Sequence, residues 1–320
     1  MIKQPHVFII TISHNGHNDT IEFLESLKSL LYRSYSVFIV DNSTNPASPE
    51  AIRSYITKEG TGAYITTENC IDLARLSQSS LTLITAANRG FASANNLVLK
   101  QLIIADAVTE SNYVWIINND VLVDRSSLGT LVETYERKLI ENIGIVAPVI
   151  YYHGTNKIWM AGGHYFRHLG MMISFSKNKE TINKKPARIN FLSGCAWLIR
   201  IDRLKMIGLL DETYFMYGED LDYSLKVCEK HLELYVEQDA RIWHKIGNSS
   251  NGSFSSFSAY WMMFGRMRNI LKHNTTLGKI TGISVVFISR AFAFPMYLLK
   301  NRGHLITTQL KAIKNSLFAK

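Results

Sequence analysis

After Asp239 the chain contains no acidic residue at all. Residues 240–320 carry twelve Lys and Arg, which leaves 23 basic against 26 acidic residues before them. The net charge of +9 therefore belongs to the C-terminal region, and the body is mildly acidic. Such asymmetry points to a polyanionic surface as partner, either nucleic acid or anionic lipid. Cysteine is scarce: Cys70, Cys195 and Cys228 stand far apart with no C-x-x-C spacing. That argues against a zinc site or a disulfide framework and fits a reducing compartment. The first apolar strand lacks G-x-G-x-x-G and no P-loop occurs, so a dinucleotide-dependent dehydrogenase is disfavoured. The opening MIKQPHVFII runs straight into that strand, too short for a secretory apolar region, so no signal peptide is expected. There is no internal repeat, and the one low-complexity stretch, the Ser-rich 249–258, reads as a mobile loop.

What is present is an ordinary globular composition, 47% hydrophobic and 19% charged, in a chain of 320 residues. That length suits one large domain, or a domain with an appendage. Short apolar runs at 7–13, 36–43, 81–88 and 113–120 alternate with helical patterns at 19–31 and 91–105. Strand–helix alternation of this kind predicts an α/β fold with a mostly parallel central sheet flanked by helices. Ligands of such sheets collect at the carboxyl ends of strands. Polar clusters stand at each of these ends: 14–16, 41–43, 88–90 and 118–120. Residues 151–190 show no clear period; order returns at 189–200, at a loop entering a helix over 208–231, and at a strand over 233–245.

The division expected is a catalytic-type α/β domain over 1–258 and a basic, apolar helical region over 259–320. Within the latter, 280–299 has the length of a membrane span. Arg290 lies near its centre and Pro295 follows. A central Arg costs at least ~2.5 kcal/mol on insertion, which favours helices lying in the interface over a span. The basic residues are interleaved with aliphatic runs and no nucleic-acid motif accompanies them, so no nucleic acid is expected as partner.

Six motifs occur in order: VDNS (40–43), NRGFASANN (88–96), INND (117–120), SGCAWLIR (193–200), GEDLDYSLK (218–226) and WHK (243–245). From about Val7 to Asn269 this series resembles glycosyltransferase family 2, whose fold is the single α/β domain called GT-A. Within that family it is similar to bacterial rhamnosyltransferase and galactofuranosyltransferase types. The resemblance implies an inverting enzyme that moves a sugar from a dTDP- or UDP-linked donor to a hydroxyl of a glycan, lipid-linked in surface polysaccharide synthesis. Together with the basic, apolar tail, the expected place is the cytoplasm, peripheral to the inner face of the cell membrane, on an anionic lipid surface. A catalytically silent nucleotide-sugar or glycan binder is the alternative, motivated by Asn118 where the family pattern Asp-x-Asp begins.

In INND, Asn118 and Asp120 are expected to leave a strand end on the same side, as residues two apart do. A carboxylate beside an amide oxygen offers hard ligands for Mg²⁺ or Mn²⁺. A plain Asn-Asn-Asp turn is the alternative. The resemblance adds His244, in its Trp-His setting, as a metal ligand; a hydrogen-bonded structural histidine is the other reading. Inversion needs a carboxylate on the acceptor side to take the hydroxyl proton. By resemblance that base is Asp220, with Glu219 binding or orienting the acceptor and Asp222 supporting the loop. Two neighbouring acids at a helix start are not expected both to point inward, and helix capping by acids is the structural alternative. The donor pocket is expected to draw on Thr11, Asn15, Asp41, Asn88, Arg89, Gly90, Asn119, Ser193 and Gly194. Asp41 is placed by resemblance against the nucleoside, or else forms an Asx turn. Gly90 permits tight passage into a helix whose amides, with Arg89, suit a phosphate or ribose. Asn95 and Asn96 fit the family pattern or only hydrogen-bond neighbouring loops, and by resemblance Ser193–Gly194 is a small-residue loop beneath the donor sugar, or else an ordinary tight turn before the strand.

Overall fold

The computed structural model describes residues 4–318 except 61, 73–74, 76–77, 106–108, 139–141, 176–188 and 246–254. Most of the Ser-rich loop expected over 249–258 lies outside the described residues.

The elements of the first half are β1 (Val7–Ser13), α1 (His17–Lys28), β2 (Tyr35–Asp41), α2 (Ala47–Lys58), β3 (Tyr64–Thr67), β4 (Leu81–Thr85), α3 (Phe91–Ile104), β5 (Tyr113–Ile117) and β6 (Val121–Val123). Next come α4 (Ser127–Arg137), β7 (Ile143–Tyr152), β8 (Ile158–Met160), β9 (Gly163–Phe166), β10 (Met171–Ser174) and β11 (Ala196–Arg200). The chain ends with α5 (Ile201–Ile207), α6 (Glu219–Glu229), β12 (Glu233–His244), α7 (Ser256–His273), α8 (Thr276–Leu299) and α9 (His304–Phe318).

One large sheet runs β3-β4-β2-β1-β5-β11-β7-β12-β6, with β8 added beside β7, while β9 and β10 form a separate hairpin. The strands from β3 to β5 are all parallel, as the alternation predicts. Beyond β5 the sheet is mixed, because β11 runs antiparallel to both β5 and β7. Alternate residues of the buried strands serve opposite faces. Val7 and Ile9 meet Phe23, Leu27 and Leu131 of α1 and α4. Phe8 and Ile10 meet Val98, Leu204 and Tyr223 of α3, α5 and α6. A three-layer core results, and it fixes the strand ends rigidly.

Two consequences of register position the site. Ser13, Asp41 and Thr85 are level with one another, so the loops after β1, β2 and β4 leave from one edge. The antiparallel β11 pairs Ala196 with Ile117, which sets the beginning of β11 beside the end of β5. Strand order reverses at β1–β5, the usual place for a ligand crevice.

The region 151–190 contains, among its described residues, the strands β8 to β10, only three or four residues long and too short to show a period in the sequence. Its hairpin turn seats on the C-terminal helices: Arg266 Nε donates to Gly170 O at 3.2 Å, and Thr281 hydroxyl donates to His168 O. Helix α7 begins at Ser256, three residues before the expected start of the tail region, with a Ser255–Ser258 capping box.

Helix α8 is continuous through Pro295 and about 36 Å long at 1.5 Å per residue. Among the described residues it is the one helix long and apolar enough to cross a membrane. It buries only Gly278, Gly282 and Val286 fully, leaving Phe292 76% and Leu299 87% exposed. The central Arg290 faces inward, donating from Nη1 to Gln309 Oε1 of α9 at 3.1 Å.

Candidate active site

The acid pair opens α6, whose N-cap is Gly218 in a left-handed conformation (φ 99). A Cβ there would come 2.9 Å from Gly265 Cα, so the turn requires glycine. Glu219 is 8% exposed, and its Oε2 is buried without a hydrogen-bond partner. Asp220 is half-buried; its Oδ1 accepts from Leu221 N at 2.8 Å and its Oδ2 from Gly194 N at 3.5 Å. Both acids are thus desolvated, contrary to the expectation that only one would turn inward.

Desolvation, then repulsion from Asp220, pushes the Glu219 pKa up to about 8. Burial raises Asp220 as well, opposed by the backbone N–H groups of Leu221 and Gly194. Two like charges cannot both be carried so close in a dry site, and the amides decide which acid keeps the charge. Asp220 therefore gives up its proton before Glu219, which is held protonated by the neighbouring charge. Because the folded pKa of Glu219 lies above the unfolded 4.5, the folded state binds the extra proton between those values. Stability associated with this group is full below about pH 4.5 and declines as pH rises toward 8. Glu219→Gln should therefore melt above wild type at pH 8.5, with the gap closing by pH 5. Parallel melting curves across that range would refute the assignment.

Asp222 does more than support a loop. It is 1% exposed, with Oδ1 at 2.7 Å from His273 Nε2 and 2.6 Å from Lys272 Nζ. His273 Nδ1 lies 3.0 Å from Glu229, and Lys272 also reaches Asp211 at 2.8 Å. These bonds lock α7 onto the helix that carries the acid pair. Lys272 and His273 were missed by sequence reasoning, which counted Lys272 among the basic groups free for an anionic surface. Lys245 is likewise committed, to Asp19 and Glu22.

Across the β11 turn lies the INND motif. Strand β5 ends at Ile117, so Asn118–Asp120 form a turn and strand alternation does not aim their side chains. Asn118 N donates to Cys195 O at 2.9 Å, fixing the motif to the start of β11. Asn119 turns away toward α1, donating to Thr20 Oγ1 at 2.9 Å and Gly16 O at 3.3 Å. Asp120 meets His244, which β12 brings opposite Val121. Asp120 Oδ1 stands 3.0 Å from His244 Nε2, yet the pair is not aligned as a hydrogen bond. Asp120 Oδ1 and His244 Nδ1 are both buried without a hydrogen-bond partner. Trp159 packs edge-on against the imidazole at 4.7 Å and restricts its rotation.

An orphaned carboxylate oxygen beside an imidazole nitrogen fits a divalent cation. Among the described residues no third His, Cys, Asp or Glu joins them. A cation there would complete its shell from an amide oxygen such as that of Asn118, from water and from a ligand's phosphates.

The remaining donor-side candidates fall into two groups. Asp41 Oδ1 accepts from Ser43 N at 3.0 Å, an Asx turn at the end of β2, and the residue is fully buried. Asn15, at φ 54, ties its loop to Ser43, Thr44 and Asn45. Asn96 pins Leu210 and Glu212, as expected of a loop anchor. Arg89 is held by Glu68, at 2.5 and 3.0 Å, a partner that sequence reasoning did not foresee. Thr11 Oγ1 is buried and unpartnered, Asn88 Oδ1 accepts from Gly90 N, and Ser193 Oγ accepts from Cys195 N at 3.4 Å. Gly194 has no room to spare: a Cβ would lie 3.3 Å from that of Asp220 and 3.6 Å from the Phe91 ring.

The Ser193–Cys195 turn therefore joins the two motifs: Cys195 O accepts from Asn118 N of the INND turn, and Gly194 N donates to Asp220 of the acid pair. Comparison with known proteins identifies the family and the fold. The family model for glycosyl transferase family 2 matches residues 8–208. The chain is 25% identical over 272 residues to N-acetylglucosaminyl-diphospho-decaprenol L-rhamnosyltransferase of Mycobacterium tuberculosis, covering 79% of this chain and 80% of the relative. It is 20% identical over 274 residues to rhamnosyltransferase WbbL of Escherichia coli, covering 83% of this chain and 93% of that one. Its fold is similar to the crystal structure of GalNAc-T7 with UDP, GalNAc and Mn²⁺, at a TM-score of 0.58 and 13% identity. That match covers 83% of this chain, which spans about half (48%) of the larger protein. A family model matching well over half of the chain settles its membership: the protein belongs to glycosyltransferase family 2 and is a glycosyltransferase with the GT-A fold.

Proposed function

We propose that this enzyme is an inverting, metal-dependent transferase of rhamnose, galactofuranose or another hexose from a dTDP- or UDP-linked donor. Its acceptor is a hydroxyl of a lipid-linked glycan in bacterial surface polysaccharide synthesis. The supporting observation is the pair of carboxylates, Asp120 and Asp220, whose motifs are both bonded to the Ser193–Cys195 turn. One stands beside an imidazole with no hydrogen bond of its own, while the other is a desolvated base held by backbone amides.

The acceptor oxygen attacks the anomeric carbon on the face opposite the diphosphate. As the new C–O bond forms, the bond to the donor phosphate breaks, and the hydroxyl proton passes to Asp220. Glu219, protonated beside it, donates a hydrogen bond that orients the acceptor oxygen. Asp120, His244 and the Asn118 amide would hold Mg²⁺ or Mn²⁺, which supplies positive charge to the departing nucleoside diphosphate. Relatives of the rhamnosyltransferase type and a neighbour containing UDP and Mn²⁺ support the donor and cation classes.

The division into a catalytic domain (1–258) and a membrane-associated region (259–320) belongs to the same proposal. Helix α8 lies on the inner face of the cytoplasmic membrane. Its midpoint is bonded to α9, and α9 packs on α7. A spanning α8 would therefore carry Lys311 and Lys314 of α9 into hydrocarbon.

Thermal unfolding with UDP, dTDP and GDP, each with and without Mn²⁺ or Mg²⁺, tests the donor site. At ~100 times its dissociation constant a ligand adds about 2.7 kcal/mol, a readily measured shift. One nucleotide should stabilise the protein in a metal-dependent way, and Asp120→Ala should abolish the metal-dependent part. A nucleotide shift indifferent to both cation and Asp120 would remove the metal from the mechanism.

A further inference from the structure

The β9–β10 hairpin carries an apolar face that the fold leaves exposed and the transfer chemistry does not use. Its register pairs Phe166 with Met171 and His164 with Ile173, so these four side chains share one face and Tyr165 lies on the other. Tyr165 is buried, and its hydroxyl donates to Asn274 Oδ1 at 3.0 Å, at the elbow between α7 and α8. The opposite face is open: Phe166, Met171 (41%) and Ile173 (51%) are exposed, as is Leu169 in the turn. A two-stranded hairpin that holds such side chains in water is an aggregation liability unless a partner covers them.

The place of the turn points to what covers it. Residues 167–170 ride on the start of α8. Thr281 hydroxyl donates to His168 O, a Cβ on Gly278 would come 2.7 Å from Arg167 O, and one on Gly170 would come 3.2 Å from Gly282 Cα. Leu169 thus stands beside the part of α8 where Leu277 and Ile280 are exposed. From Leu277 to Leu299 every exposed position of α8 is uncharged, Lys300 and Arg302 follow it, and no acidic residue occurs after Asp239. An uncharged apolar stripe edged by cations suits an anionic bilayer. A second copy of this chain would instead set two basic tails against each other.

We propose that the β9–β10 hairpin is a second membrane-contacting element, its Phe166, Leu169, Met171 and Ile173 entering the headgroup–acyl boundary of an anionic bilayer beside α8. The inference rests on the reading that α8 lies on the membrane. Arg167 ties the hairpin to the helix of the acid pair, donating to Glu229 Oε1 at 3.1 Å and to His273 O at 3.2 Å. Bilayer contact at the hairpin therefore orients α6 relative to the surface.

The test uses the full-length protein, floated with vesicles of phosphatidylcholine with or without phosphatidylglycerol, and follows backbone hydrogen exchange in the same mixtures. Wild type should float best with phosphatidylglycerol, and exchange over 163–174 should slow when those vesicles are added. Met171→Ser combined with Ile173→Ser should weaken flotation about tenfold or more, the loss expected when two half-exposed apolar side chains are denied burial. Leu31→Ser, at an exposed apolar position between α1 and β2, should float as wild type does. A hairpin variant that floats like wild type, with exchange over 163–174 indifferent to vesicles, overturns the hairpin assignment. Loss of flotation in Phe292→Ser combined with Leu299→Ser would then leave the α8 reading standing. A dimer in light scattering that the hairpin substitutions dissociate, without vesicle-dependent protection, would give the face to a second copy and overturn the assignment too. Should the double hairpin variant melt early, exchange of wild type with and without vesicles decides alone. Failure of wild type to float with either vesicle would overturn the membrane reading itself.

Discussion

An Asp220→Asn enzyme should bind its nucleotide as wild type does and transfer sugar about 10²–10⁴-fold more slowly, the range attached to a positioned base. The substitution keeps the shape of the side chain and an oxygen for the 2.8 Å bond from Leu221 N, giving up only the long 3.5 Å contact with Gly194 N. It removes the only group of the pair that those amides hold as an anion. Fold loss is not expected, since a desolvated charge disappears. Repulsion from Asp220 is one cause of the high Glu219 pKa, so the variant should lower it and let Glu219 ionise nearer neutrality. Any residual transfer that uses Glu219 as the base should then rise with pH over a range below about 8. The measurements are kcat with the nucleotide-induced melting shift as binding control, and the pH profile of the remaining rate. Unchanged kcat would place the base elsewhere, and loss of the nucleotide shift would make Asp220 a structural residue of the donor site.

The positions of these carboxylates were legible because a parallel sheet delivers its loops to one edge, and polar residues at strand ends mark that edge. Asp120, His244 and Asp220 were therefore identifiable one motif at a time. Their aim was not. Asn118–Asp120 form a turn beyond β5, where strand alternation does not set the direction of side chains, and Asn119 spends its amide on α1. Arg89 reads as a phosphate ligand until Glu68 is seen beside it, 21 residues away in sequence. Asp222 and His273 are 51 residues apart, and no periodicity connects an acid in one helix with a base in another. Long-range pairing also explains the tail: Lys245 and Lys272 counted as free charge in the sequence but close ion pairs within the fold.

Glycine at 90 and at 265 was informative for a different reason, since each is required by a contact the sequence does not show. The loop before the acid pair passes between α3 and α7. A Cβ on Gly90 would come 2.1 Å from Phe215 O, and one on Gly265 would come 2.1 Å from Tyr217 O. Both obstacles are backbone, and the loop is tied in place by Phe91 N to Phe215 O at 2.9 Å and Asn269 Nδ2 to Gly218 O at 2.9 Å. Neither side can yield without moving Gly218, and with it Glu219 and Asp220. Gly90→Ala should be the more damaging substitution because its φ of 93 is itself a glycine conformation. Backbone strain of about 1–3 kcal/mol adds there to an overpacking cost of similar size. Gly265→Ala, in a regular helix, bears the overlap alone. Denaturant unfolding should rank wild type above Gly265→Ala and that above Gly90→Ala, with transfer lost further than stability in the variants that remain folded. Nucleotide binding separates the two: Gly90 begins the donor-side helix α3, so its variant should lose donor and acceptor function together. Gly265→Ala should retain the nucleotide shift while kcat falls, because it displaces the acid pair from the acceptor side only. Retention of wild-type kcat in Gly265→Ala would mean that α7 does not set the position of Asp220.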